Sequence, residues 1–475
     1  MQPGFEPHDN QAEIARLQAV YQLQREAYGR EPYPDAVLRR DRLGWLRHML
    51  TKHGDEIAAA ISADFGHRSA HETRTLEIFP SLAGIDHMLG KLRKWMKPQR
   101  RGVSIWFMPA SNMVIPQPLG VVGVIVPWNY PLFLAVGPLT AALAAGNRAV
   151  VKMSEFTPRF GETFRRLIAE YFDEDEVCVI NGGVEVAQAF AGMPWDHLLF
   201  TGSTSVGKQV MRAASDNLTP VTLELGGKSP TVVAPDYAIA TAAERILHGK
   251  CLNAGQTCVA PDYVFVKRGQ EAAFVEAARA VVQRWYPNLP ANPDYTAVVN
   301  GRHLARLQSY LDDAAEKGAQ IITLADNDPA SGKLAPTLVL NVNDGMRVMQ
   351  DEIFGPILPV LTYERLDEAI DYINAHPRPL ALYYFDYDAH RIKRMLGQTI
   401  SGGVGLNETV MHVGQDDLPF GGVGPSGMGH YHGREGFETF SKMKPVFAQS
   451  RINGVWLLRP PYGKRVEQLL KLMLR

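Results

Sequence analysis

The stretch NAGQTCVAPD (253–262) sets Cys258 among small and polar residues beside a glycine, whereas most free cysteines sit in apolar surroundings. A thiol in a tight, approachable turn is a candidate nucleophile, because a thiolate is the most nucleophilic side chain near neutral pH. Upstream, VTLELGGKSP (221–230) places Glu224 inside an apolar run just before Gly226 and Gly227. A carboxylate there is either paired or held as a base with a raised pKa. VPWNYP (126–131) puts Asn129 between Trp128 and Tyr130, where its amide either donates to a developing oxyanion or simply forms a turn. VVKMSE (150–155) ends a strand with Lys152 and Glu155, a pair suited to ribose hydroxyls or to plain solvation. In FTGSTSVGK (200–208), Gly202, Ser203 and Gly207 lead into a helix whose first N–H groups suit a phosphate, although a tight turn explains them equally. Lys208 is followed by Gln209 rather than Ser or Thr, so this is not a P-loop. His430 and His432 in GHYHG lack the accompanying ligands of a metal centre, and no metal is assigned to them.

These residues need a frame. DAVLRRDRLGWLRHMLTKHGDEIAAAISADFG (35–66) reads as a helix ended by Gly66, with Leu43, Leu46, Met49 and Leu50 on one face. From Leu119 onward apolar strands alternate with helices: VVGVIV, a helix over 132–145, RAVVKMS, a helix over 159–171, EVCVINGG and DHLLF. TGSTSVG then reads as a loop and KQVMRAAS as a helix. That alternation indicates a parallel, doubly wound sheet. A second alternation starts near SPTVVAPD (229–236) and gives a second α/β domain, and the glycine-dense segment LPFGGVGPSGMGHYHGREG reads as loop.

Composition excludes several classes. The chain has 475 residues, 46% hydrophobic and 21% charged, with 49 basic against 50 acidic side chains and a net charge of −1. That balance argues against nucleic acid or anionic membrane as a partner. Three cysteines, at 178, 251 and 258, are too few for a disulfide framework and fit a reducing cytoplasm. The start, MQPGFEPHDNQAE, lacks the pattern of a secretory signal. Residues 102–147 carry no charge, but prolines at 109, 116, 118, 127, 131 and 138 cut the run too short to span a membrane. The basic amphipathic end, RVEQLLKLMLR, reads as a packing or oligomer contact, with a membrane surface as the alternative.

Taken in order, PWNYP, VVKMSE, FTGSTSVG, LELGGK, GQTC, EIFGP and LPFGGVGPSGMG resemble the aldehyde dehydrogenase superfamily from about residue 100 to 445. Tyr130 in PWNYP and the segment GVGPSGMGHYHGREGFETFS look like its class 3 branch, and within it QDDLPFGGVGPSGMGHYHGREGF is similar to bacterial coniferyl aldehyde dehydrogenases. The resemblance implies an α/β fold with a Rossmann-like cofactor domain over 1–101 and 118–226, completed by about 416–443. It further implies a catalytic α/β domain over 227–415, a small β oligomerisation arm from 102–117 and 444–458, and a C-terminal tail over 459–475.

The same resemblance makes Cys258 the nucleophile, Glu224 the general base, and Asn129 with the Cys258 N–H the oxyanion hole. Gly202, Ser203 and Gly207 would follow the cofactor pyrophosphate, and Lys152 and Glu155 the adenosine ribose. Glu352 of EIFGP would hold the nicotinamide ribose, with Phe354 and Trp128 near the nicotinamide, and Tyr130 and Phe420 would wall the aldehyde pocket. Cys251 is expected to be structural. The implied activity is oxidation of an aldehyde to the acid with NAD, NADP being tolerated, in a cytoplasmic homodimer. Coniferaldehyde is the expected substrate and a medium- or long-chain alkanal the alternative. Acyl transfer to CoA and a non-catalytic structural role are disfavoured by the presence of Glu224 together with Cys258 and Asn129.

Overall fold

Asp9 and Asp35 each accept two backbone N–H groups at the head of a helix, Asn10–Arg30 and Ala36–Lys52 respectively. The computed structural model describes residues 9–474. The first eight residues, part of the start read as lacking a signal, and Arg475, at the end of the basic C-terminal stretch, lie outside them. The single helix expected over 35–66 is two helices: it stops at His53 and resumes over Gly54–Asp64. Glycine is a weak helix former, so the junction falls at His53–Gly54, while Gly66 (φ +75°) turns the chain after the second helix. A short helix, Ala70–Thr73, then widens into a π turn over Arg74–Ile78 before the helix Phe79–Trp95.

Five parallel strands, Val121–Ile125, Arg148–Lys152, Val177–Ile180, His197–Thr201 and Val221–Glu224, form a sheet completed by the antiparallel two-residue strand Gly427–Met428. The first of these, Val121–Ile125, lies between Arg148–Lys152 and His197–Thr201, so the winding direction reverses there. Ligands of such sheets bind beyond the carboxyl ends of the strands at that reversal. All five residues of Val121–Ile125 are buried, as is nearly every side of the helix Phe133–Ala145. This accounts for the uncharged run from Gly120 onward as core, whereas its start, Ile105–Met108, is exposed, and no helix among the described residues is long and apolar enough to cross a membrane. Each such Leu, Val or Ile contributes roughly 1.5–3 kcal/mol by leaving water.

A seven-stranded sheet follows, in the spatial order Gln320–Thr323, Thr337–Leu340, Ile357–Tyr363, Tyr263–Lys267, Pro230–Val233, Ala381–Phe385 and Gly403–Leu406. Its strands are parallel apart from the first. Gln99–Arg101, Ser111–Pro118 and Ser441–Ala448 make a third, antiparallel sheet, which brings the two segments expected as arms side by side. One correction concerns TGSTSVG, expected as a loop: the helix already begins at Thr204, because Ser203 caps it by accepting the Val206 N–H, and it runs to Ser215.

Candidate active site

Three strands of the first sheet end at one crevice. Val121–Ile125 runs out into Pro127, Trp128 and Asn129; His197–Thr201 into Gly202 and Ser203; Val221–Glu224 into Leu225 and Gly226. The second sheet contributes Cys258, Glu352 and Phe354, and the helix Gly301–Glu316 contributes His303 and Arg306. Together they enclose about 230 Å³.

Cys258 reaches this cavity through an unusual turn. Asn253, Ala254 and Gly255 all adopt left-handed backbone, with φ of 51°, 52° and 72°. Gln256, fully buried, fastens the turn: its amide donates to the carbonyls of Asn253 and Ala297 and its oxygen accepts the Val299 N–H. The thiol is half-buried, and the backbone N–H groups of Cys258 and Val259 point at its sulfur. The Asn129 amide donates to the Gln256 carbonyl at 3.1 Å, which leaves its second hydrogen for a ligand. An oxygen bonded to a carbon on the sulfur therefore finds two donors nearby.

Two carboxyl groups share the site. Glu224 is 3% exposed, and neither of its oxygens has a hydrogen-bond partner among the described residues. Burial holds it well above the carboxylate range. Glu352 rests on Gly226, where a Cβ would stand 2.1 Å from its Oε2, and accepts the Gly227 N–H. Burial, then the charge of Asp262, pushes it up to about 8. Burial followed by the charges of Glu352 and Glu224 raises the Cys258 thiol to about 12. A thiol raised by burial thus stands beside two raised carboxyl groups, a set matched for passing a proton.

The crevice fits a dinucleotide. The N-terminus of Thr204–Ser215 opens beside Gly202 and Ser203, offering backbone N–H groups and a partial positive charge to a pyrophosphate. Trp128 lies 5.4 Å from the Phe354 ring and 5.0 Å from His303, forming an aromatic wall, and Glu352 Oε1, which has no hydrogen-bond partner among the described residues, can receive a hydroxyl. Lys152 and Glu155 do not line this cavity and lie farther along the sheet edge. Lys152 Nζ donates to the carbonyls of Met153 and Gly182 and stands 3.9 Å from Glu155, and burial pulls it down to about 8. Gly207 also stays out of the cavity: it sits in the helix, where a Cβ would meet Leu225 at 2.6 Å, so it serves close helix packing.

Tyr130 and Phe420 do not line it either. The Tyr130 hydroxyl bonds Thr257 at 2.6 Å and its ring lies under Arg68, because the chain turns inward after Asn129. Phe420 stacks on His432 at 5.0 Å. A second, smaller cavity of about 30 Å³ opens next to them, lined by Ser81, Phe133, Thr140, Asp416, Tyr431 and His432 among others. Tyr431, 1% exposed, lines this smaller cavity, and burial, then the charges of Glu224 and Cys258, hold its hydroxyl well above the ordinary value.

Comparison with known proteins decides the family, whose description, aldehyde dehydrogenase, matches residues 17–446. The chain belongs to the aldehyde dehydrogenase family. It is 57% identical over 467 residues to a Pseudomonas aeruginosa protein named "Probable coniferyl aldehyde dehydrogenase", covering 98% of each chain. It is 48% identical to the coniferyl aldehyde dehydrogenase of a Pseudomonas species, covering 92% of each. The substrate-bound structure of Staphylococcus aureus AldH superposes with a TM-score of 0.92 at 38% identity, over 97% of this chain and 99% of that one.

For an aldehyde dehydrogenase, NAD(P)-dependent and acting on an aldehyde group, the sequence reading omitted several residues around the reacting atoms. Arg306 donates to the carbonyls of Glu352 and Phe354. Lys228 donates to Asp262 and to the carbonyls of Val348 and Asp351, while Asp262 accepts the Ile353 N–H and so fixes the EIFGP loop. His303 and Arg306, three apart on one helix face, carried the one usable sequence signal. Arg68 and Glu77, buried behind Asn129, and the half-buried Glu72 carried none, since charged side chains usually face water.

Proposed function

We propose that this enzyme oxidises its aldehyde while the carbon is bound to Cys258. The observation that carries this reading is the convergence of Cys258, Glu224 and Asn129 on one cavity, with Glu224 free of any hydrogen-bond partner among the described residues. The thiol proton passes to Glu224, and the thiolate adds to the aldehyde carbon. The C–S bond forms as the carbonyl π pair moves onto oxygen, where the Asn129 amide and the Cys258 N–H receive the charge. The dinucleotide, when bound, supplies the acceptor for the hydride that departs with its electron pair as the carbonyl re-forms, leaving a thioester. Glu224 gives the thiol proton up to solvent and, ionised again, deprotonates a water, whose oxygen attacks the thioester; the C–S bond breaks to release the acid, and the proton now on Glu224 returns to the Cys258 thiolate.

Trp128, Gly202, Ser203, Glu352 and Phe354 hold the dinucleotide on this reading, with Glu155 at its adenosine ribose. A carboxylate there accepts a 2′-hydroxyl and repels a 2′-phosphate, so NAD is preferred. The aldehyde enters from the Tyr431 side, opposite the cofactor. The smaller cavity there presents Ser81, Thr140, Tyr431 and His432, all buried and all with polar atoms lacking a partner among the described residues. Its volume admits a hydroxyl or methoxy group rather than a ring, and its polar lining suits the substituted end of a phenolic aldehyde. This favours coniferaldehyde or a close aromatic relative over an alkanal. The turn Ile105–Phe107, between two strands of the antiparallel sheet, exposes Ile105, Trp106 and Phe107 beside Phe447 of that sheet, whose ring lies 6.1 Å from that of Phe107, a surface suited to a second copy of the chain, hence a homodimer. Three free cysteines suit the reducing cytoplasm.

The test is aldehyde oxidation by Cys258→Ala, Glu224→Gln and the parent enzyme. Loss of all turnover in the first, and a loss of roughly 100- to 10,000-fold in the second, are the expected results. Turnover surviving in Cys258→Ala contradicts the reading.

A further inference from the structure

Three charged side chains of the N-terminal helical region, none of them given a role above, converge behind Asn129 and Cys258. Arg68 is 1% exposed; its Nη1 donates to the Asn129 carbonyl at 3.0 Å and pairs with Glu77 at 2.8 Å. Its guanidinium lies over the rings of Phe65 and Tyr130 at 5.2 and 5.0 Å. Glu77, in the π turn, accepts the N–H groups of Leu132 and Phe133, at the head of the helix that follows Asn129. Glu72 accepts the Asn253 N–H at 3.0 Å and the Thr296 hydroxyl at 2.5 Å, so it grips the left-handed turn that leads to Cys258. Asn253 closes the loop: its amide donates to the carbonyls of both Asn129 and Gln256.

Asn129 hangs from the first sheet and Cys258 precedes a strand of the second, so no single element fixes their separation. The Arg68, Glu72 and Glu77 side chains do, because one short stretch of chain holds both ends. Stability does not explain them: apolar residues of similar volume often replace a buried ion pair without loss. We propose that Arg68, Glu72 and Glu77 are positioning residues that set the Asn129 amide and the Cys258 turn at the spacing an oxyanion requires. The proposal rests on the reading of Cys258 as nucleophile.

The experiment compares two reactions of the same thiol in the full-length enzyme. Acetylation by 4-nitrophenyl acetate passes through an oxyanion, whereas alkylation by iodoacetamide does not. Glu72→Ala is expected to slow acetylation by about ten-fold or more while alkylation stays within about two-fold of the parent. Glu72→Gln, which keeps an acceptor for Asn253, restores most of the rate. The double variant Arg68→Met/Glu77→Leu removes the pair without stranding a charge and should behave like Glu72→Ala. Should that variant not fold, as judged by its thermal melt, the two Glu72 variants decide. Equal losses in both reactions, or no loss in either, overturn the positioning role. Cys258→Ala run alongside separates the two ideas: if it still turns over aldehyde, the nucleophile reading fails instead.

Discussion

A Cβ on Gly255 would stand 2.4 Å from the carbonyl oxygen of Gly355, so the turn carrying Cys258 and the loop carrying Glu352 touch backbone to backbone. Gly255 is also left-handed, a conformation that costs an alanine roughly 1–2 kcal/mol. Gly255→Ala is therefore expected to lower the melting temperature and to push Cys258 away from Glu352. Thermal melts with kcat measured on the surviving fold check this; an unchanged melt and rate would show that the contact is loose.

Asn129 shares the Gln256 carbonyl with Asn253, whose amide also donates there at 3.1 Å. Removing the Asn129 side chain therefore leaves that carbonyl bonded and the turn in place. Asn129→Ala should retain NAD binding and fold but lose roughly 100- to 1000-fold in kcat, about 2.7–4 kcal/mol of transition-state stabilisation. Steady-state kinetics with an NADH fluorescence titration measure both halves.

The charge of Glu352 helps raise the Cys258 thiol. At alkaline pH, above the value of about 8 to which Glu352 itself is raised, that charge is present and opposes thiolate formation. Glu352→Gln removes it, so the midpoint of iodoacetamide alkylation against pH should move to lower pH. A midpoint that stays or rises would mean the carboxyl is not felt by the sulfur. Weaker cofactor binding in the same variant is expected, from loss of the carboxyl assigned to the nicotinamide ribose.

Tyr130 and His432 should separate stability of the site from choice of aldehyde. Tyr130 packs under Arg68 and bonds Thr257, so Tyr130→Ala should depress turnover of all aldehydes alike. His432 lines the small polar cavity, so His432→Leu should hurt phenolic aldehydes more than alkanals. Ratios of kcat/KM across the two classes distinguish these outcomes.

Much of this was readable beforehand, because strand ends and glycines leave local marks. Alternating apolar strands and helices gave the doubly wound sheet, whereas Asn129, Gly202 and Glu224 were grouped in one site only by the resemblance of their motifs to a family. The start of the helix at Thr204 was missed because Ser203, read as loop, is its cap. The break at His53 was missed because the apolar spacing continues through Leu50 and Ile57 on either side of it. Tyr130 could not be placed from its position next to Asn129, since which way a side chain turns after a strand end depends on tertiary neighbours such as Arg68. Nor could the inward course of Glu72 and Glu77 be seen, because the short helix and the π turn that carry them are too brief to show a periodic face.

The most direct test follows NADH formation by purified enzyme with coniferaldehyde and with a series from hexanal to decanal, alongside Cys258→Ala. Efficient oxidation that favours coniferaldehyde and vanishes in the variant is the predicted result. Oxidation that persists without the Cys258 thiol would contradict the account.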